Sequence, residues 1–203
     1  MLAIQIIGLW KIHSHGMTHC DLKPGNVLID DNGGWLIGDL GLVVMDDCAE
    51  SHARFGTEVY MAPEQVKMTS DTRAADIWQL GCVFIEFLRA HEPSGLSWTQ
   101  TLTDSRGYTL NMRTESLQGI QEAVRRSLNA IIDDPVARDM CLMVSRHCYV
   151  YELMLTYALQ MTNVNPAFRP AAHHILNHPW FRSIDLFSVY RGTQPCICKC
   201  TMP

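Results

Sequence analysis

The sequence lacks a strong charge of either sign: 16 Lys and Arg stand against 21 Asp and Glu, a formal charge of −5. A general nucleic-acid binder carries a basic face, and this composition argues against one. It also lacks a long hydrophobic run. The most apolar internal stretch, Leu80 to Leu88, is too short to span a bilayer and contains Glu86, so no membrane partner is expected. In the apolar start, Met1 to Trp10, the basic residue Lys11 follows the run instead of leading it. No small-residue cleavage site appears either, so no secretory leader is expected. No Gly-x-Gly-x-x-Gly loop, internal repeat or low-complexity linker occurs in the chain.

What remains is a chain built to fold. Apolar residues make up 47% and charged residues 18% of 203 positions, enough for one substantial core or at most two small ones. Eight cysteines fall at irregular spacing. Without a leader they read as free thiols in a reducing, intracellular and cytoplasmic setting.

One stretch concentrates chemistry: His19-Cys20-Asp21-Leu22-Lys23-Pro24-Gly25-Asn26. It sets an acid, an amine and a carboxamide on one tight loop. Val27-Leu28-Ile29 and Trp35-Leu36-Ile37 follow as short strands around Asp30-Asp31-Asn32-Gly33-Gly34, whose Asn-Gly and Gly-Gly steps tolerate positive φ and predict a hairpin. Such a hairpin returns Asp39 to the neighbourhood of Asn26. Two oxygen ligands then suit a hard cation such as Mg²⁺, and the remaining acid and amine face a hydroxyl and a phosphate.

Around this loop the pattern is mostly helical. Residues 2–15 read as a helix with more than one apolar face, stopped by Gly16. Residues 74–88 are apolar almost all round, as only a central core helix is, and Asp76 near the start suits the positive end of the helix dipole. Leu117, Ile120, Val124, Leu128 and Ile131 mark an amphipathic helix ending before Pro135. Further helices are expected through Val136, Met140 and Val144, and through Val150, Met154, Tyr157 and Met161. Residues 42–61 show no period and read as a long exposed loop.

The loop with its following Asp39-Leu40-Gly41, the run Gly56-Thr57-Glu58-Val59-Tyr60-Met61-Ala62-Pro63-Glu64, Asp76-x-Trp78-x-x-Gly81, Asn165 to Pro170 and His178-Pro179-Trp180-Phe181 together resemble a protein kinase of the serine/threonine type. The resemblance covers residues 1–182, with 183–203 as a C-terminal tail, and is poor between 91 and 148. It implies a mainly α fold, the C-terminal lobe of a kinase with a small β-hairpin beside the catalytic loop and the N-terminal lobe absent. It implies Asp21 as catalytic base and Lys23 as the amine on the transferring phosphoryl group. Asn26 and Asp39 become the ligands of Mg²⁺ and hence of ATP. His13 and His19 are structural, Asp76 grips the loop backbone, and Glu64 pairs with Arg169. Thr57 is a candidate to bridge Asp21 and Lys23. Taken singly, each of these residues also fits an ordinary cap, turn or surface position.

Two departures bear on control. Cys20 stands where most of the family has Arg, and a thiol cannot make that bidentate contact to a phosphate, which argues against control by phosphorylation at a site such as Ser51. Leu40 replaces the usual Phe and keeps its bulk. The expected partners are ATP and a protein substrate, with a nucleotide-clamping N-terminal lobe segment missing from the chain. If the reading frame starts at Met1, no appreciable kinase activity is expected. The alternative is an inactive pseudokinase, scaffold or truncated fragment acting by protein binding. Cys196, Cys198 and Cys200 read as an unstructured tail in preference to a metal or lipid site.

Overall fold

The structure is a computed structural model and describes residues 2–31, 34–45, 56–68, 73–89, 97–134 and 148–179. The expected helix at 136–144, the candidate phosphosite Ser51, Trp180, Phe181 and the tail lie outside the described residues.

Burial along one helix sets the architecture. Every residue from Ala75 to Ile85 in α3 (Arg73–Leu88) is buried, so the helix must be covered on all sides. It is covered by α5 (Cys148–Met161) and by the 3₁₀ turns Trp98–Thr101 and Glu58–Tyr60, and α1 (Leu2–Ser14) reaches it through His13; α4 (Leu117–Ile132) packs outside α5. Ile6 and Leu9 of α1, Trp98, and Ile120, Val124 and Leu128 of α4 join the same core. The Trp78 and Trp98 rings meet at 6.3 Å between centroids, and Trp98 Nε1 donates to Ser127 Oγ at 2.8 Å, tying α4 in. The short α6 (Ala172–Leu176) packs on α1. No helix among the described residues is long and apolar enough to cross a membrane.

Gly16, at φ 72, ends α1 and turns the chain into β1 (Met17–Thr18). The hairpin pairs β2 (Val27–Ile29) with β3 (Trp35–Ile37) antiparallel, Val27 opposite Ile37 and Ile29 opposite Trp35. Asp30 closes it from both sides: its N–H donates to Gly34 O at 2.8 Å, and its Oδ1 accepts from Gly34 N–H at 2.7 Å.

A second ladder joins β1 to β4 (Val44–Met45), Thr18 opposite Val44. Residues 42–61, read as one loop, therefore contain a strand, and they also hold the 3₁₀ turn Glu58–Tyr60. Two-residue strands show no alternation to read. Their pairing is decided by the partner that the fold brings alongside.

Gly81 lets α3 and α5 meet. A Cβ there would stand 2.8 Å from Thr162 Cγ2 and 3.0 Å from Met161 Cβ. Overpacking of this kind costs about 1–3 kcal/mol. Gly81→Val is expected to lower unfolding free energy by that amount in urea denaturation, whereas Leu117→Ala, at an exposed position, leaves it nearly unchanged.

Candidate active site

The loop 19–26 has almost no regular structure, so its backbone groups need partners from elsewhere. Asp76, fully buried in the first turn of α3, supplies two of them. Its Oδ2 accepts from His19 N–H at 2.7 Å and its Oδ1 from Cys20 N–H at 2.8 Å. His13 Nε2 lies 2.8 Å from Oδ2 and links the carboxylate to α1. His19 ties the loop to the hairpin, its Nε2–H donating to Gly38 O at 3.1 Å while Nδ1 accepts from Asp21 N–H at 3.2 Å. His15 sits apart, its ring nitrogen 2.8 Å from Lys11 O on the surface. The histidines that crowd together in sequence thus point to different partners.

Both oxygens of Asp21 are engaged, and the residue is only 5% exposed. Oδ1 accepts from Thr57 N–H at 2.7 Å, and Oδ2 accepts from Lys23 Nζ at 2.7 Å. Lys23 Nζ also donates to Thr57 Oγ1 at 2.8 Å, so the Thr57 hydroxyl does bridge toward the amine. Asn26 Nδ2 donates to Asp21 O at 2.8 Å and reaches Oδ2 at 3.3 Å. Burial pushes the Asp21 carboxyl up, but hydrogen bonds from Lys23 and Thr57 and the Lys23 charge outweigh it and hold the group below the ordinary value. The result is a carboxylate fixed in direction and kept ionised.

Asp39 stands in the left-handed region, φ 57 and ψ 73, with Oδ1 accepting from Gly41 N–H at 3.4 Å, and it is exposed. Gly38 N–H donates to Asn26 O at 2.8 Å, which brings Asp39 within one residue of a direct backbone contact with Asn26. The two side chains offer oxygen donors only, the set a hard cation prefers. Among the described residues no three His, Cys, Asp or Glu converge as a metal cluster.

Arg169 makes the densest contact away from the loop. It pairs bidentately with Glu64, Nη1 to Oε1 and Nη2 to Oε2, the latter at 2.7 Å. It also donates to Ala74 O at 2.9 Å and Asn163 O at 2.7 Å, and its guanidinium lies 5.2 Å from the Trp78 ring centroid. Glu64 opens α2 (Pro63–Val66), so the pair fastens the segment that carries Thr57 to α3 and to the residues preceding α6.

Three contributors escaped the sequence reading. Gly56, at φ 102, passes so close to the loop that a Cβ would stand 2.4 Å from Cys20 O. Glu86 accepts from Tyr60 O–H at 3.0 Å and Trp98 N–H at 2.7 Å; burial first, then the Glu86 charge, pushes the Tyr60 phenol far up, so it stays a donor. Gln79 also reaches the loop. Its signal was its spacing: three residues after Asp76, it shares that helix face.

An acid, an amine and a hydroxyl converge on one point beside an oxygen-donor pair, on a mainly helical, protein-kinase-like fold. The chain belongs to the protein kinase family, whose protein kinase domain matches residues 2–181. It is similar to beta-adrenergic receptor kinase 1 of Homo sapiens, 34% identical over 139 residues, 68% of this chain and 20% of that protein. It is also similar to putative ribosomal protein S6 kinase alpha-1 of Caenorhabditis elegans, 30% identical over 188 residues, 89% of this chain and 24% of that one. Serine/threonine-protein kinase PDK1 of Cryptococcus neoformans is 27% identical over 204 residues, 96% of this chain and 14% of that one. The chain spans a quarter or less of the length of these relatives.

Removing one member of a buried pair strands the other. Arg169→Met is expected to cost about 3–5 kcal/mol in chemical denaturation, and Arg169→Met with Glu64→Leu clearly less than the sum of the two single changes. Because the folded Asp21 carboxyl titrates below its ordinary 3.8, its contribution to stability is present at neutral pH and is lost as pH falls through that depressed value. The stability gap between the wild type and Asp21→Asn is therefore expected to close as pH is taken below 3.8, read from denaturation midpoints across pH.

Proposed function

We propose that this chain carries the acceptor side of a serine/threonine kinase site, moving the γ-phosphoryl group of ATP to a protein hydroxyl with Mg²⁺. The observation that carries the reading is the double hold on Asp21, by Thr57 N–H on one oxygen and Lys23 Nζ on the other. A carboxylate so fixed orients the hydroxyl of a substrate and takes its proton as the oxygen attacks phosphorus. The Lys23 amine sits where it offsets negative charge on the moving phosphoryl group. Asn26 and Asp39 would hold the cation, and bound Mg²⁺ supplies charge neutralisation on the phosphates.

The remaining half of the site belongs to a nucleotide-clamping lobe. Leu28, Ile29 and Leu36 of the hairpin, Leu40 of the turn after it and Met45 of β4 are exposed large apolar residues, a surface suited to cover by such a lobe or by the base of a nucleotide. We place the protein inside the cell, consistent with the buried thiols of Cys20 and Cys82. The same exposed surface also favours a second reading, a pseudokinase lobe that works by binding protein.

The test is Mg²⁺-ATP-dependent phosphoryl transfer to a protein acceptor, measured with and without a separately expressed glycine-rich kinase lobe. Asp21→Asn is expected to lower kcat by roughly 10²–10⁴-fold, and Asp39→Asn to raise the Mg²⁺ concentration needed. Transfer that persists undiminished in Asp21→Asn would exclude this catalytic role. Failure of the wild type to transfer under any of these conditions, with protein partners still captured, would favour the scaffold reading.

A further inference from the structure

Asp21 is flanked by two peptide groups, and one side chain holds both. The peptide before it contributes Cys20 O, which accepts from Gln79 Nε2 at 3.1 Å. The peptide after it contributes Leu22 N–H, which donates to Gln79 Oε1 at 2.7 Å. Gln79 is fully buried in α3, one turn beyond Asp76, which holds the His19 and Cys20 amides. The two side chains together claim four polar groups of the loop backbone between His19 and Leu22. Gln79 Nε2 also donates to Gln65 Oε1 at 3.2 Å, and the same oxygen accepts from Ala62 N–H at 3.0 Å.

We infer that Gln79 is a positioning residue for Asp21, and that its amide chain through Gln65 to Ala62 is an uncharged tether between the catalytic loop and the segment that presents Thr57. This deepens the kinase reading above and rests on it only for the role of Asp21. The chemistry of the position makes the point. Cys20 is buried, at φ 70, with Sγ 3.7 Å from Thr18 O, and no guanidinium stands there to collect a phosphate. A left-handed conformation is costly for a residue with a Cβ and must be imposed by its surroundings. Here Asp76 grips the Cys20 amide, Gln79 grips its carbonyl, and Gly56 is packed against that same carbonyl. The loop is thereby assembled by a neutral carboxamide that is always present. Its order should not depend on phosphorylation of the segment that follows Asp39.

The experiment is backbone amide exchange by NMR on the full chain, comparing the wild type, Gln79→Ala and Leu128→Ala. Leu128 is a buried α4 residue, and its truncation is a general loss of stability. In the wild type the Leu22 amide is expected to exchange as slowly as the amides of α3; exchange at the rate of an open loop would overturn the inference even if Gln79→Ala fails to fold. At matched global stability, Gln79→Ala is expected to speed exchange of the 19–26 amides by about 10- to 100-fold over Leu128→Ala. Equal exchange in the two variants would overturn the positioning role whether or not the chain transfers phosphate. In the transfer assay Gln79→Ala should lower kcat by about 10- to 100-fold with KM for ATP unmoved. A change confined to KM would also overturn it. Phosphatase treatment of the wild type should leave the loop exchange rates unchanged, and a loosened loop would count against the tether.

Discussion

The carboxylate of Asp76 is the constraint on which the rest depends. It is completely buried, and an ion in that position is tolerable only when hydrogen bonds replace its water. His13 from α1 and the amides of His19 and Cys20 supply those bonds, so folding α3 into the core obliges α1 and the loop to come with it. The dipole at the start of α3 adds to the stabilisation. A loop with almost no regular structure thereby takes its shape from a helix buried on every side.

Ordering spreads outward from there by close approach. Residues with positive φ cluster around the site: Gly16 at the loop's entry, Cys20 within it, Asp39 after the hairpin and Gly56 where the following segment returns. At Gly56 no side chain fits, which lets Thr57 reach Asp21 with its amide and Lys23 with its hydroxyl. The Glu64–Arg169 pair then anchors the far end of that segment to Trp78 and to the start of α3. Conformations that cost free energy locally are held because packed neighbours leave no alternative.

Much of this fold was legible. The all-round apolar pattern of residues 74–88 announced a helix buried on every side, and the spacing of Ile120, Val124, Leu128 and Ile131 announced a helix buried on one, although Leu117, expected in the same stripe, is exposed at the first turn. The hairpin followed from its turn residues. The β1–β4 ladder was not legible, because two-residue strands carry no period and their partners, Thr18 with Val44 and Met17 with Met45, lie far apart in the chain. Glu86 looked like a charge interrupting an apolar run; it is a half-buried acceptor for Tyr60 and Trp98.

The sequence by itself determined the chemistry on offer: an acid, an amine and an amide on one short loop, an acid one hairpin later, and the family to which that order belongs. Local turn residues and helical periodicity act over a few positions, and such short-range information is readable in a single chain. Only the tertiary structure decided which groups hold the acid in place. Thr57 meets Asp21 across 36 positions, Asp76 meets Cys20 across 56, and Gln79 meets Cys20 across 59. Hydrogen bonds need alignment to within a few tenths of an ångström, and only packing of the complete core delivers it.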